Sequence, residues 1–319
     1  MRIGVRGWCA VALAVCLAGC GIAPRSEGAA LVEVRVQQFH MGMMVELVAW
    51  APSEAAGQEA CAAAFQRIGA LNAMLSDYEP ESELSQFCRK AGQGPQKVSP
   101  ELWKVLSASR KLAALADGHY DVTAAPTIRL WRQARKQGRL PEAAALQESL
   151  RHVGYEKLVL TPDGRAELKE PGMLVDLGSI AKGYIGDEAL AVLRSRGCAQ
   201  AAYIAGGDMV FGAAPPGKKG WPVKPARPGM ALLEVANCGC SVSGDTVQYL
   251  EVGGKRYSHV IDARTGAALT DRRMCIVLAP SGLVSDPLST IGTILPEPQF
   301  RALAKRYAPE AQVWIFTAE

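Results

Sequence analysis

Four short stretches of this 319-residue chain concentrate groups able to bind or activate a ligand. The first, Asp176-Leu177-Gly178-Ser179-Ile180-Ala181-Lys182-Gly183-Tyr184, places a carboxylate, a hydroxyl and an ammonium where a strand end turns into a helix. Such a turn presents free backbone N–H groups and the positive end of the helix dipole, which suits phosphate. Its spacing is neither that of a P-loop nor Gly-x-Gly-x-x-Gly, and an Asp cap before a helix is its ordinary structural reading. The second, Ala205-Gly206-Gly207-Asp208, lets backbone approach a ligand closely or simply makes a hairpin turn. The third runs from Tyr257 to Gly266 and carries His259, readable as a catalyst or as a satisfied polar group on a strand. Its Asp262-Ala263-Arg264-Thr265-Gly266 is turn chemistry. The fourth is Ser285-Asp286-Pro287-Leu288-Ser289-Thr290, in which Asp286 and Thr290 are four apart and share a face if helical. Carboxylate, hydroxyls and carbonyls are hard oxygen donors that suit Mg²⁺ rather than zinc. An N-cap Asp with a buried Thr is the alternative.

The elements that must hold these groups are written in the periodicity. Val32, Val34 and Val36 alternate as a strand, and Met44 to Trp50 is a second apolar run across a turn at Gly42. Ser53 caps a helix to Leu75, and Ser99-Pro100-Glu101 opens another that stops near Asp117-Gly118. Arg132 to Leu140 reads as an exposed basic connection, followed by a helix from Pro141 to His152. Leu158 to Leu160 and Met173 to Asp176 read as strands around the turn Pro162-Asp163-Gly164, and a helix spans Ser179 to Arg196. Short strands follow at 202–204, 232–235, 247–252, 257–261 and 275–278. A helix begins at Ser285 or Asp286 with Pro287 in its first turn, then come a helix at 299–307 and a strand at 313–316. The pattern predicts a mixed α/β fold, one large body or two lobes.

Composition narrows the partners. Hydrophobic residues make up 49% and charged residues 21%, with a net charge of +4. These values exclude a disordered chain, a collagen-like repeat and a disulfide mini-protein. No clustered basic footprint speaks for nucleic acid. Residues 1–19 read as an export signal, with Arg2 and Arg6 before the apolar run Trp8 to Ala18. That run is too short to span a membrane. It ends in Leu17-Ala18-Gly19-Cys20, similar to a bacterial lipobox, so Cys20 is the expected site of lipidation. Residues 20–30 form the tether and 31–319 the folded domain. The expected location is a bacterial membrane facing the periplasm, inner or outer, through the lipid alone. Six cysteines remain beyond Cys20 (Cys61, Cys88, Cys198, Cys238, Cys240 and Cys275), and their pairing cannot be chosen from sequence.

Taken in order, the four stretches resemble the FAD:protein FMN transferase family, ApbE. The similarity starts at Met41-Gly42 and takes in Leu75-Ser76-Asp77-Tyr78-Glu79-Pro80, Gly118-His119-Tyr120-Asp121-Val122-Thr123 and Leu130-Trp131. The resemblance implies a T-fold-like α/β architecture. It also implies FAD as substrate, Mg²⁺ as cofactor, and transfer of FMN to a Thr or Ser hydroxyl of an acceptor protein with release of AMP. The implied acceptor is a subunit of a membrane redox complex. Met41, Tyr78, His119, Tyr120, Asp121, Asp176, Lys182 and Ile261 match flavin-nucleotide positions, while Ser179, Asp286 and Thr290 match the metal site, with Ser289 as a neighbouring hydroxyl. His259 lies beside the nucleotide in the family pattern, and either it or a carboxylate off the metal is the base. The chain departs from the pattern at Ala263, where a proline is usual, and at Pro287, where an alanine is. Met43-Met44 replaces small polar residues. An FAD pyrophosphatase giving FMN and AMP, and a non-catalytic exported FAD-binding protein, are the competing readings.

Overall fold

The computed structural model describes residues 30–224, 231–244 and 248–317. The expected signal, Cys20, the tether to residue 29 and Val247 lie outside them. Residues 31–319 form one compact unit. It opens with an antiparallel hairpin, β1 (Val32–His40) and β2 (Met43–Ala51), in register from Val32 opposite Ala51 to His40 opposite Met43. Both turn residues, Met41 at φ +52° and Gly42 at φ +75°, are left-handed, as a tight turn between right-twisted strands demands. α1 (Glu54–Leu75) starts at Ser53, whose hydroxyl accepts the N–H of Ala56, and buries Cys61, Phe65, Ile68 and Leu71. α2 (Glu83–Arg89) is capped by Ser82, and β3 (Gln96–Lys97) leads to α3 (Pro100–Leu115), capped by Ser99.

α4 (Ala125–Gln137) corrects the expected exposed connection, because residues 132–137 are helical. Its basic side chains line one face while Trp131 and Ala134 are buried on the other, and Gly138 closes it at φ +66°. Polarity there marked one face of a helix, not a loop. After α5 (Ala143–Leu150), β4 (Leu158–Thr161) pairs with β5 (Arg165–Leu168) across the turn at Gly164. Met173 to Asp176 is therefore not the expected partner strand, since the adjacent segment takes that place. Leu174 makes a single bridge to Ala124, and Asp176 N–H donates to Val122 C=O.

The second half runs α6 (Ala181–Ser195), β6 (Ala201–Ala205), β7 (Asp208–Phe211), β8 (Trp221–Val223), β9 (Leu233–Val235) and β10 (Cys238–Ser243). It continues through β11 (Tyr249–Val252), β12 (Lys255–Ser258), β13 (Arg273–Ala279), α7 (Gly282–Ile294), α8 (Glu297–Tyr307) and β14 (Gln312–Thr317). Seven strands form one antiparallel sheet in the order β1-β2-β6-β7-β10-β13-β14. The helical side holds the main core, with Leu47, Ile68, Leu193, Tyr203, Leu288 and Ile291 buried together. The other face carries Val48, Phe211 and Ile276 under Trp221 and Val235 of the β8–β9 hairpin. β12 stops at Ser258, short of the expected end, and Ile261 makes only a bridge to Ala268.

α7 begins a turn earlier than its sequence suggests, at Gly282, so Pro287 lies inside the helix and not in its first turn. The reason is a cap from another element. The carboxylate of Asp187 on α6 accepts the N–H groups of Gly282 and Leu283 at 2.7 and 2.8 Å. Helix starts satisfied in this way leave no local signature.

Candidate active site

α6 and α7 cross where both carry glycine. A Cβ on Gly183 would overlap the Gly282 carbonyl and sit 2.8 Å from Asp286 Cβ. That close approach lets Gly183 N–H donate to Asp286 Oδ2 at 2.9 Å. Asp286 is 2% exposed. Burial pushes its carboxyl pKa up, opposed by the Lys182 ammonium and the Gly183 N–H. Lys182 forms an ion pair with Asp208 at the start of β7. The second sequence stretch therefore contributes Asp208, a residue whose only local signal was its pair of preceding glycines. Buried, it answers a charge that α6 would otherwise leave beside the site.

Around Asp286 the donors are oxygens. Ser289 Oγ donates to the Asp286 carbonyl at 2.8 Å. Ser243 on β10 bonds both Ser289 and Thr290 hydroxyls, at 2.7 and 3.2 Å, and Ser241 bonds Ser285 at 2.9 Å. Two β10 serines thus hold one face of α7, and sequence reasoning found neither of them. Ser179 Oγ donates to Tyr120 Oη at 3.2 Å. Burial raises the Tyr120 pKa, and the Asp286 charge adds to it, so Tyr120 and Ser179 belong to the same neighbourhood. Among the described residues no group of three or more His, Cys, Asp or Glu could hold a metal. One carboxylate with neutral oxygens is too weakly charged for a closed zinc or calcium cage. It fits Mg²⁺, which keeps water and takes ligands from a substrate's phosphates.

A second cluster lies at the turn before α6. Asp176, 6% exposed, accepts Gly178 N–H at 2.8 Å through Oδ1 and Arg132 Nη2 at 2.6 Å through Oδ2. Burial raises its pKa and Arg132 pulls it back. The same guanidinium donates to Asp77 at 2.5 Å and lies 4.6 Å from the centroid of the Tyr78 ring. Tyr78 itself is 71% exposed.

The third group joins residues 119–123 to the stretch after β12. His119 Nδ1 bonds Asp262 at 3.0 Å, and Ala263 N–H donates to the His119 carbonyl. Asp121 Oδ1 accepts both the N–H and the hydroxyl of Thr123 at 2.8 Å. Burial still pushes its pKa up to about 6. His259 Nδ1 bonds the carbonyl of Gln248 at 3.1 Å; a carbonyl can only accept, so Nδ1 carries the proton and Nε2 is the basic nitrogen. The structure therefore gathers Tyr120, Ser179, Lys182, Asp286, Ser289 and Thr290, sets Tyr78 with Asp176, and ties His119 to Asp262. Met41 stands on the β1–β2 turn, packed against the main core. Ile261 is buried with Ala124, Trp131 and Leu250 under α4.

A family model described as the ApbE family matches residues 41–315. The FAD:protein FMN transferase of Klebsiella pneumoniae is 27% identical over 288 residues, covering 86% of this chain and 82% of its own. That of Haemophilus influenzae is 31% identical over 250 residues, covering 74% and 72%. Among solved structures, a mutant of the flavin transferase ApbE from Vibrio cholerae superposes with a TM-score of 0.81 at 25% identity, over 90% of this chain and 94% of that one. The ApbE protein of Thermotoga maritima shares the fold, with a TM-score of 0.78 at 23% identity over 90% and 97%.

Proposed function

The chain belongs to the ApbE family, and from that premise we propose that it transfers FMN from FAD to a Thr or Ser hydroxyl of an acceptor protein, releasing AMP. The observation that carries this reading is the α6–α7 crossing, which sets the buried Asp286 carboxylate on the N–H of Gly183, the residue after Lys182 in the first turn of α6. In the reaction the acceptor oxygen bonds to the FMN phosphorus, the bridging P–O bond breaks, and AMP leaves with the bridging oxygen. Bound Mg²⁺ would polarise the pyrophosphate and neutralise the charge that develops on it. Asp286, Thr290 and Ser179 would hold the ion, with Ser289 steadying the Asp286 backbone. Lys182, held by its ion pair with Asp208, brings an ammonium to a helix start, where anions are favoured. Tyr78 offers an open aromatic face for the flavin-nucleotide ring system. His259, with Nε2 as its basic nitrogen, takes the acceptor proton.

Incubation with FAD and Mg²⁺, with and without an acceptor peptide, tests the reading. AMP formed only with acceptor, together with a flavinylated peptide, is the expected result. AMP formed equally without acceptor identifies a pyrophosphatase, and tight FAD binding without any AMP identifies a carrier; either overturns the proposal. The lipobox-like Leu17-Ala18-Gly19-Cys20 supports export and acylation at Cys20, and an acceptor on the same membrane, such as a redox-complex subunit, fits that reading. No helix among the described residues is long and apolar enough to cross a membrane.

A further inference from the structure

Arg132 lies outside every sequence motif assigned above, yet its side chain touches three parts of the nucleotide cluster. Nη1 reaches Asp77 at 2.5 Å, Nη2 reaches Asp176 at 2.6 Å, and the guanidinium carbon sits over the Tyr78 ring, 4.6 Å from its centroid. Its two carboxylate partners are 9% and 6% exposed, so neither ion pair is a surface contact. Resting on the flavin-transferase reading, we propose that Arg132 is the positioning residue of the flavin-nucleotide site. It clamps the Asp77-Tyr78 loop onto the Asp176 turn before any ligand arrives.

Two physical effects follow from the clamp. Tyr78 is exposed on a polar loop, held otherwise by its own N–H to Ser76 Oγ at 3.2 Å. A free aromatic side chain loses rotamer freedom when a ring stacks on it, and a guanidinium beneath it removes that cost in advance. The second effect is charge. Asp77 and Asp176 bring two carboxylates to the flavin-nucleotide cluster, and Arg132 bonds both and offsets their charge. Through Asp176 it also steadies Gly178, whose N–H bonds the other carboxylate oxygen, and hence the turn leading into Ser179 and α6. A planar fork can bridge two carboxylates and lie flat against a ring at once; a lysine ammonium can do one of these.

The test uses the full chain and three variants: Arg132→Met, Arg132→Lys and the double Asp77→Asn/Arg132→Met. FAD affinity is read by fluorescence titration, KM and kcat by AMP release with acceptor, and folding by thermal melting. Arg132→Met should raise both Kd and KM for FAD about tenfold, while kcat at saturating FAD stays within about threefold. Arg132→Lys should recover only part of the affinity. The double variant should recover part as well, since one of the two orphaned carboxylates is gone. A purely structural arginine would instead lower the melting temperature and leave the affinity of the folded protein unchanged. If Arg132→Met does not fold, Arg132→Lys decides: an affinity equal to that of the unaltered protein overturns the clamp. An unaltered protein that binds FAD, with variants that bind it equally well, overturns the clamp and spares the transferase reading. An unaltered protein that binds no FAD overturns both.

Discussion

Asp286 is the only formal negative charge among the oxygen donors grouped on α7, and its buried carboxylate accepts the Gly183 N–H. Asp286→Asn keeps that acceptor and the volume but removes the charge that would hold a cation. FMN transfer should fall at least about 100-fold while FAD binding survives in part, because Tyr78 and Asp176 belong to a separate cluster. Thr290→Ala removes one neutral ligand that water replaces, so it should be milder and shift the Mg²⁺ requirement upward. AMP release against Mg²⁺ concentration checks both; an Asp286→Asn enzyme with unaltered Mg²⁺ dependence removes this carboxylate from the metal site. A different consequence attaches to Asp121, whose pKa burial raises from 3.8 to about 6. Between pH 4 and 6 the unfolded chain releases a proton that the folded chain keeps. Stability therefore falls as pH rises through that window, by up to about 3 kcal/mol from this group alone. Denaturant unfolding across pH should show Asp121→Asn losing that share of the slope. A variant with the same slope assigns it to other buried carboxyls such as Asp187.

At the scale of elements, the crossing of α6 and α7 is the contact on which the site depends. Gly183 meets the Gly282 backbone and not a movable side-chain end, so a methyl group there must push the helices apart. Gly183→Ala should cost about 3 kcal/mol or more, drop the melting temperature by several degrees, and abolish AMP release in whatever folds. Full activity in that variant would show that the Gly183–Asp286 contact is dispensable. The same crossing explains what could be read from sequence and what could not. Val32 to Val36, Ser53, Ser99 and Gly118 act through their own neighbours, so the first hairpin, α1 and α3 were legible as alternation and caps, whereas the polar face of α4 masked both its helix and its stop at Gly138. β7 and β8 are only four and three residues long, and β10 is built of small residues, so none carries an alternation long enough to announce a strand. The start of α7 depends on Asp187, and the partner of Lys182 is Asp208, each a product of packing between distant segments. The residues grouped on α7 and at the start of α6, with Asp208, were visible as stretches of a family resemblance; Ser241 and Ser243, which hold α7, and Arg132, which holds Asp77 and Asp176, were not.

Taken as a whole, the molecule has no local version of its site. Arg132 meets Asp77 and Asp176, Gly183 meets Asp286, and His119 meets Asp262 across 143 residues. The Gly183–Asp286 pair is positioned by helices packed on the seven-stranded sheet and the others by α4 and the loops beside it, all within the one compact unit of residues 31–319. A ligand that uses them binds only the complete fold, so it must stabilise all of it together. FAD at one hundred times its Kd should therefore add about 2.7 kcal/mol, roughly 5 °C in melting temperature for a unit of this size. Two probes separate this outcome from local tightening. Far-UV circular dichroism follows the sheet and helices throughout, while a fluorophore stacked near Tyr78 would report the nucleotide cluster alone. Both should melt in one transition and move by the same amount with FAD. If the site signal shifts and the circular dichroism transition does not, the nucleotide cluster unfolds on its own. In that case α4 with its neighbouring loops would be a subdomain, and the claim that the site is a property of the whole sheet would fail.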